Sequence, residues 1–173
     1  MTPTTAGFGT PRSPVADLTD FLRRAIELAV ENASAGGLPF GALVVRDGVV
    51  LGTGVNTSVR DHDPTAHAEV EAIRNACQTA GRLMLPGAVV VSSCEPCALC
   101  HAAAAGAGID RLVYAAPKER VAETLGPPTG PHADLLAEMQ RALRSVAPQQ
   151  IEHVAIAGDR APFDRYLTTR PRS

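Results

Sequence analysis

Residues 92–100 read SSCEPCALC, and this stretch holds three of the chain's four cysteines: Cys94, Cys97 and Cys100. Sulfur at every third position constrains the fold more than any other feature of the chain. Such a run must close as disulfides, knot around a metal, or present thiolates to a group brought from elsewhere. Disulfides between neighbours this close would close very short, strained loops. The amino terminus, MTPTTAGFGTPRSP, has no basic start and no apolar core, so it reads as a Thr/Pro/Gly leader over 1–16 rather than a secretory signal. A cytoplasmic address is the default expectation, and there thiols stay reduced.

What could reach these sulfurs depends on the elements around them. Apolar residues recur at helical spacing from Asp17 to Ala35 (Leu18, Phe21, Leu22, Ala25, Leu28, Ala29), and Gly36-Gly37 stops that helix. Two apolar runs, Ala42–Val45 and Val49–Val55, joined at Asp47-Gly48, predict a hairpin. Asp63-Pro64 predicts a helix start, the helix running to Gly81 and carrying His67 and Glu69. Val89–Ser92 reads as a buried strand, Pro96 as the opening of an Ala-rich helix closed by Gly106 and Gly108, and Leu112–Ala115 as a strand. Beyond the loop LGPPTGP (125–131), a helix over Ala133–Val146, a strand over Ile151–Ala157 and a short helix over Phe163–Leu167 are expected. Strands alternating with helices late in the chain imply parallel pairing. The prediction is an α/β fold, a three-layer α/β/α sandwich with a mixed sheet of about five strands.

The bulk composition limits the partners. With 173 residues, 45% hydrophobic and 20% charged, residues 17–173 fit one domain able to bury its own core. Aromatic residues make up only 3%, so that core must be built from Ala, Val, Leu and Ile. A net charge of −2 argues against a nucleic-acid partner, which usually requires a basic surplus. No apolar run reaches the roughly 18 residues of a membrane span, so no membrane partner is expected.

Two predicted helix starts then share a property. His67 and Glu69 lie in the first turns of one, Cys97 and Cys100 in the first turn of the next. A spacing of three puts both sulfurs on one helix side, and the positive helix end favours the metal-binding thiolate. With His67 they form a Cys₂His set that leaves the fourth position of a tetrahedral zinc site open, as catalytic sites require. Glu69, two residues from His67, stands close enough to carry a proton without being a ligand. Other uses of the run remain open: a closed Cys₃His knot including Cys94, a redox pair, or a non-catalytic zinc-stabilised module. Cys94 is expected as a packed strand-end residue and Cys77 as core filling, with His62, His101, His132 and His153 outside the ligand spacing.

H67-A68-E69 with P96-C97-A98-L99-C100 resembles the cytidine-deaminase superfamily of zinc-dependent deaminases. Through LPFGALVVRDG, DPTAHAEVEAIRNAC and SSCEPCALC the chain is most similar to small bacterial guanine deaminases, with tRNA-adenosine deaminases next. The resemblance implies zinc held by His67, Cys97 and Cys100, with Glu69 moving protons between water and a ring nitrogen. It also implies Asn56 hydrogen-bonding the base, the Ala68 amide holding a ring carbonyl or nitrogen, and Phe40 lining the pocket. Read without it, Phe40 is plain core and Asn56 a turn residue. The implied partners are a nucleobase-like small molecule, water and a second copy of the chain. The reaction would exchange an exocyclic amine for a carbonyl with release of ammonia. Guanine is the first substrate expectation, cytosine or an aminotriazine the second, tRNA adenosine the third. One departure bears on this choice: acidic residues of guanine deaminases are missing at Leu125-Gly126-Pro127-Pro128, unless Asp134 or Glu138 replaces them. Tyr166 is a candidate for a lid.

Overall fold

The computed structural model describes residues 18–126, 133–146 and 150–170. The first expected helix forms as α1, Thr19–Ser34, and buries Leu22, Ala25, Ile26, Ala29 and Ala33 along one stripe. The hairpin follows as β1, Gly41–Arg46, and β2, Val49–Val55, paired antiparallel. At its tip Asp47 and Gly48 take φ values of 52° and 74°, the two successive left-handed residues that a tight two-residue turn demands. Next come α2 (Ser58–Asp61), α3 (Ala68–Ala80), β3 (Val89–Cys94), α4 (Ala98–Gly106) and β4 (Arg111–Ala116). The described elements end with α5 (Glu119–Leu125), α6 (Ala133–Val146), β5 (Gln150–His153) and α7 (Ala161–Thr169).

The strands form one mixed five-stranded sheet in the order β2-β1-β3-β4-β5. β1 runs antiparallel to β2 and β3, whereas β3, β4 and β5 are mutually parallel. Side-chain alternation sorts each strand between two cores. Ala42, Val44, Val90 and Leu112 face α3 and α4, while Leu43, Val45, Val91 and Val113 face α1. α7 lies against α1, and the three-layer α/β/α expectation holds. No helix among the described residues is long and apolar enough to cross a membrane.

One contact brings α3 unusually close to the sheet. Ala68, Ala72 and Ala76 repeat every four residues on α3, and each is fully buried. Opposite them on β2 stand Gly52 and Gly54. A Cβ on Gly52 would lie 2.5 Å from Ala76 N, and one on Gly54 would collide with Ala68 O and Ala72 N. Small residues on both sides therefore let helix and strand backbones touch. This seam lets a core with few aromatic rings bring its helix directly onto the sheet.

Several boundaries differ from expectation, and two short helices are new. α3 begins at Ala68 rather than Pro64, because the Asp63 carboxylate is engaged locally: its Oδ1 accepts Thr65 N–H (2.8 Å) and Thr65 Oγ1–H (2.7 Å). The resulting turn is preceded by α2, which the spacing did not indicate. The second sulfur-bearing helix begins at Ala98, two residues after Pro96. β5 stops at His153 instead of Ala157. There the Ala115 carbonyl accepts from the His153 ring (2.8 Å) and Ala116 O accepts Glu95 N–H (2.8 Å), so the ladder ends. α5 occupies residues for which no element was expected. The leader 1–16, Pro127-Pro128 and His132 lie outside the described residues.

The seam carries a prediction. Gly54→Ala should destabilise the protein by about 1–3 kcal/mol through overpacking. Because Gly54 abuts Ala68, the variant should also lose affinity for zinc at His67. Thermal unfolding with metal quantification checks both; unchanged values would mean that the seam yields without consequence.

Candidate active site

Both ligand-bearing helices begin in the same way. His67 is the N-cap of α3, with extended φ/ψ of −78° and 155°, and its carbonyl accepts Glu71 N–H (2.9 Å). Cys97 is the N-cap of α4, at −81° and 176°, and its carbonyl accepts His101 N–H (3.0 Å). Neither side chain caps its own helix. Instead the two point at one another: Cys97 Sγ lies 3.4 Å from His67 Nδ1 and 3.6 Å from Cys100 Sγ, and Cys100 Sγ lies 3.7 Å from His67 Nδ1.

These separations test whether a metal fits. Tetrahedral zinc with sulfur at about 2.3 Å and nitrogen at about 2.0–2.1 Å requires S···S of about 3.8 Å and S···N of about 3.6 Å. The three distances agree with that geometry to within about 0.2 Å, the tolerance for a plausible site. Zinc thus fits the triad His67, Cys97 and Cys100, the one group of metal-ligating side chains gathered among the described residues. The thiols already respond to one another. Cys97 is lowered to about 4, chiefly by the hydrogen bond from Cys100 and further by His67. Cys100 is pushed up by the same contact and by burial. The Cys97 hydrogen bond in turn raises His67. A divalent cation at their centre would displace the protons these groups carry.

Cys94 does not join the triad. It is buried at the end of β3, and desolvation pushes its thiol far up, which disfavours the ligating thiolate. All four cysteines are free, so no disulfide is formed. Cys77 sits partly buried at the edge of the α3-side core, its Sγ donating to Leu83 O (3.4 Å). His62 is exposed, His101 is buried, and His153 stacks on Tyr114 at 5.2 Å between centroids.

Glu69 is the second residue of α3, within its first turn and 6% exposed. Its Oε1 accepts Ser92 Oγ–H (2.7 Å), and its Oε2 lies 3.2 Å from Cys100 Sγ. Burial raises its carboxyl pKa above the ordinary range, with the Ser92 hydrogen bond opposing. Ser92 was not anticipated as a site residue. Strand alternation could have found it, since Ser92 shares the α3-facing side of β3 with Val90.

The triad and Glu69 form one end of a cavity of about 230 Å³. Phe40, Asn56 and Ala68 line it as well, so every expected site residue meets at one place. Asn56 is buried, and its Oδ1 accepts both Ser58 N–H (3.1 Å) and Ser58 Oγ–H (2.7 Å). That fixes the amide orientation and leaves the NH₂ as what Asn56 offers a ligand. Asn32, unremarked in the sequence, clamps this wall: its Nδ2 donates to Leu38 O (2.7 Å) and Asn56 O (2.9 Å). Val121 and Leu125 of α5 face the same space, as does Glu95. Asp134 and Glu138 do not line it; both are exposed on α6, with Glu138 paired to Arg141 at 2.8 Å. Tyr166 on α7 is also absent from the lining.

The geometry separates an open three-ligand site from a four-ligand knot. His67→Ala and Cys100→Ser should each lose most bound zinc on dialysis, whereas Cys94→Ser should keep it. Atomic absorption measures this, and zinc loss in the Cys94 variant would restore the knot.

Comparison with known proteins gives the same picture. The family description "Cytidine and deoxycytidylate deaminase zinc-binding region" matches residues 16–116. A guanine deaminase of Bacillus subtilis is 45% identical over 104 residues, covering 60% of this chain and 67% of that one. The solved Bacillus subtilis guanine deaminase superposes with a TM-score of 0.58 at 32% identity, over 89% of this chain and 96% of that chain. A tRNA:A34 deaminase, studied for A-to-I editing at the wobble position, superposes with a TM-score of 0.65 at 29% identity, over 85% of this chain and 99% of the other. The chain belongs to the cytidine and deoxycytidylate deaminase zinc-binding family and is, by class, a zinc-dependent hydrolytic nucleobase deaminase.

Proposed function

We propose that the protein deaminates guanine or a closely related amino-heterocycle, taken up as a small molecule. The observation that carries this is a buried carboxylate that is not a ligand, Glu69, set beside the triad and facing a base-sized cavity. A purely structural zinc module has no use for such a group. The 45% identity to a guanine deaminase supports guanine over other bases. A tRNA adenosine is the second reading, favoured by the likeness to the tRNA:A34 deaminase and opposed by the chain's net charge of −2. Cytosine or an aminotriazine is a third, suggested by the acids missing at 127 and 128.

His67, Cys97 and Cys100 are the residues proposed to hold zinc. When bound, zinc supplies a water whose pKa falls from about 15.7 to about 7, a nucleophile at neutral pH. Glu69 acts on the protons. Ser92 holds its Oε1, and Oε2, which meets Cys100 Sγ, would take a proton from the attacking water and return it to the ring nitrogen beside the attacked carbon. A carboxyl raised by burial suits a group that must both accept and return a proton near neutrality. Asn56 donates its NH₂ to an acceptor on the ring, and the Ala68 N–H, unpaired within the first turn of α3, holds a second. Phe40 lies against the flat ring. One water is consumed, the exocyclic C–N bond breaks, a carbonyl forms, and ammonia leaves.

The same reading takes residues 17–173 as one catalytic domain, acting in the cytoplasm as a homodimer. Exposed Leu135, Leu136 and Met139 on α6 supply an apolar surface consistent with self-association.

Ammonia release is the decisive measurement, across guanine, other aminopurines, cytosine, aminotriazines, their nucleosides and an adenosine-bearing anticodon stem-loop. Turnover of guanine is expected, and turnover of the stem-loop alone would overturn the small-molecule reading. Glu69→Gln should retain zinc while losing activity by a factor of about 10²–10⁴, the usual contribution of a positioned acid–base group. Full activity in that variant would remove Glu69 from the mechanism.

A further inference from the structure

The carboxy-terminal helix α7 buries two residues, Pro162 and Phe163. Phe163 is 3% exposed, and its surroundings are specific. It packs with Cys94 and Ala116 at the ends of β3 and β4, with Phe40 and Val121 against it. Its ring meets that of Phe40 at 6.1 Å between centroids and 79° between planes, an edge-to-face arrangement. Phe40 from the loop before β1, Cys94 of β3 and Val121 of α5 all line the substrate cavity. Phe163 itself does not. It stands behind the wall, in one packed cluster with Cys94 and edge-to-face with the Phe40 ring.

α7 is pinned at both ends, which fixes how Phe163 enters. Near its carboxy-terminal end Thr169 Oγ1 donates to Ala33 O (2.7 Å) and Arg165 Nε to Ser34 Oγ (2.8 Å), both on α1. At the other end Arg160 lies 4.0 Å from Glu123 of α5. Phe163 is therefore delivered by a helix set against α1 and α5.

We propose that Phe163 is a positioning residue of the substrate cavity, holding the Phe40 ring edge-to-face as the wall against which the heterocycle lies. The inference rests on the base-deaminase reading above and deepens it. It assigns the carboxy-terminal helix to substrate affinity, while proton transfer and metal binding stay with α3 and α4. An aromatic pair of this kind is worth about 0.5–1.5 kcal/mol, so its loss should raise KM about twofold to tenfold.

Steady-state kinetics on the base with the highest turnover test this with Phe163→Leu, Phe40→Ala and the double variant. Phe163→Leu keeps an apolar side chain of similar bulk and removes the ring contact, so the fold survives. It should raise KM by that factor, leave kcat within about twofold and leave zinc content unchanged. In the double variant Phe163→Leu should add nothing to Phe40→Ala, because it acts through that ring. A wild-type KM, an equal fall in kcat, or additive effects would overturn the proposal. A second readout needs no substrate. The chain has four phenylalanines, so carbon-13 labelling of their rings resolves Phe40. Phe163→Leu should speed Phe40 ring flipping, and an unchanged flip rate would overturn the inference even if no base in the panel were turned over. Failure of the base-deaminase reading would appear instead as absent ammonia release with the ring effect intact.

Discussion

The approach of α3 to β2 is the contact on which the site depends. Ala68, Ala72 and Ala76 lie on Gly52 and Gly54 with no side chain between them, so the helix is held at backbone distance from the sheet. That depth brings Glu69 within reach of Ser92 on β3 and brings His67 alongside Cys97. A helix raised by even one methyl group would carry histidine and carboxylate away from sulfurs fixed by a different helix. Dispersion and close packing, rather than polar contacts, thus set the geometry of a polar site.

On that platform two helix starts do the same work twice. N-cap side chains usually turn back to satisfy their own helix's amides. Here the N-cap side chains are His67 and Cys97, and both turn outward to meet each other. The first amides of α3 have no acceptor within their own helix, and the positive helix ends favour thiolate and carboxylate. This arrangement at the ends of two helices is what allows three ligands to converge from elements thirty residues apart in sequence.

Much of this was legible beforehand. His67, Glu69, Cys97 and Cys100 were found because their chemistry is rare and their spacing is short. The Asp47-Gly48 turn was found because few residues accept its backbone angles. Asn56, Phe40 and Ala68 came from resemblance, and the cavity gathers them all. The helix start was misplaced because Asp63 has two uses, as a cap or as an acceptor for Thr65, and local sequence does not choose between them. Ser92 and Asn32 passed unnoticed because a serine in a strand and an asparagine in a helix are ordinary until their partners, 23 and 24 residues distant, are known. Asp134 and Glu138 were weighed as substitutes for missing acids, and their exposure on α6 removes them from the described cavity.

By itself the sequence determined which groups react, which face of each strand is apolar, and where the chain can turn. Those properties reside in single residues or in periodicities of two and 3.6, which neighbours in the chain express directly. Tertiary structure alone decided which ring stands behind Phe40, which hydroxyl holds Glu69, and where α7 packs outside the cavity wall. Each of these is a contact between residues separated by tens of positions or more. Such contacts arise only when packing has chosen among the many partners that local chemistry leaves open.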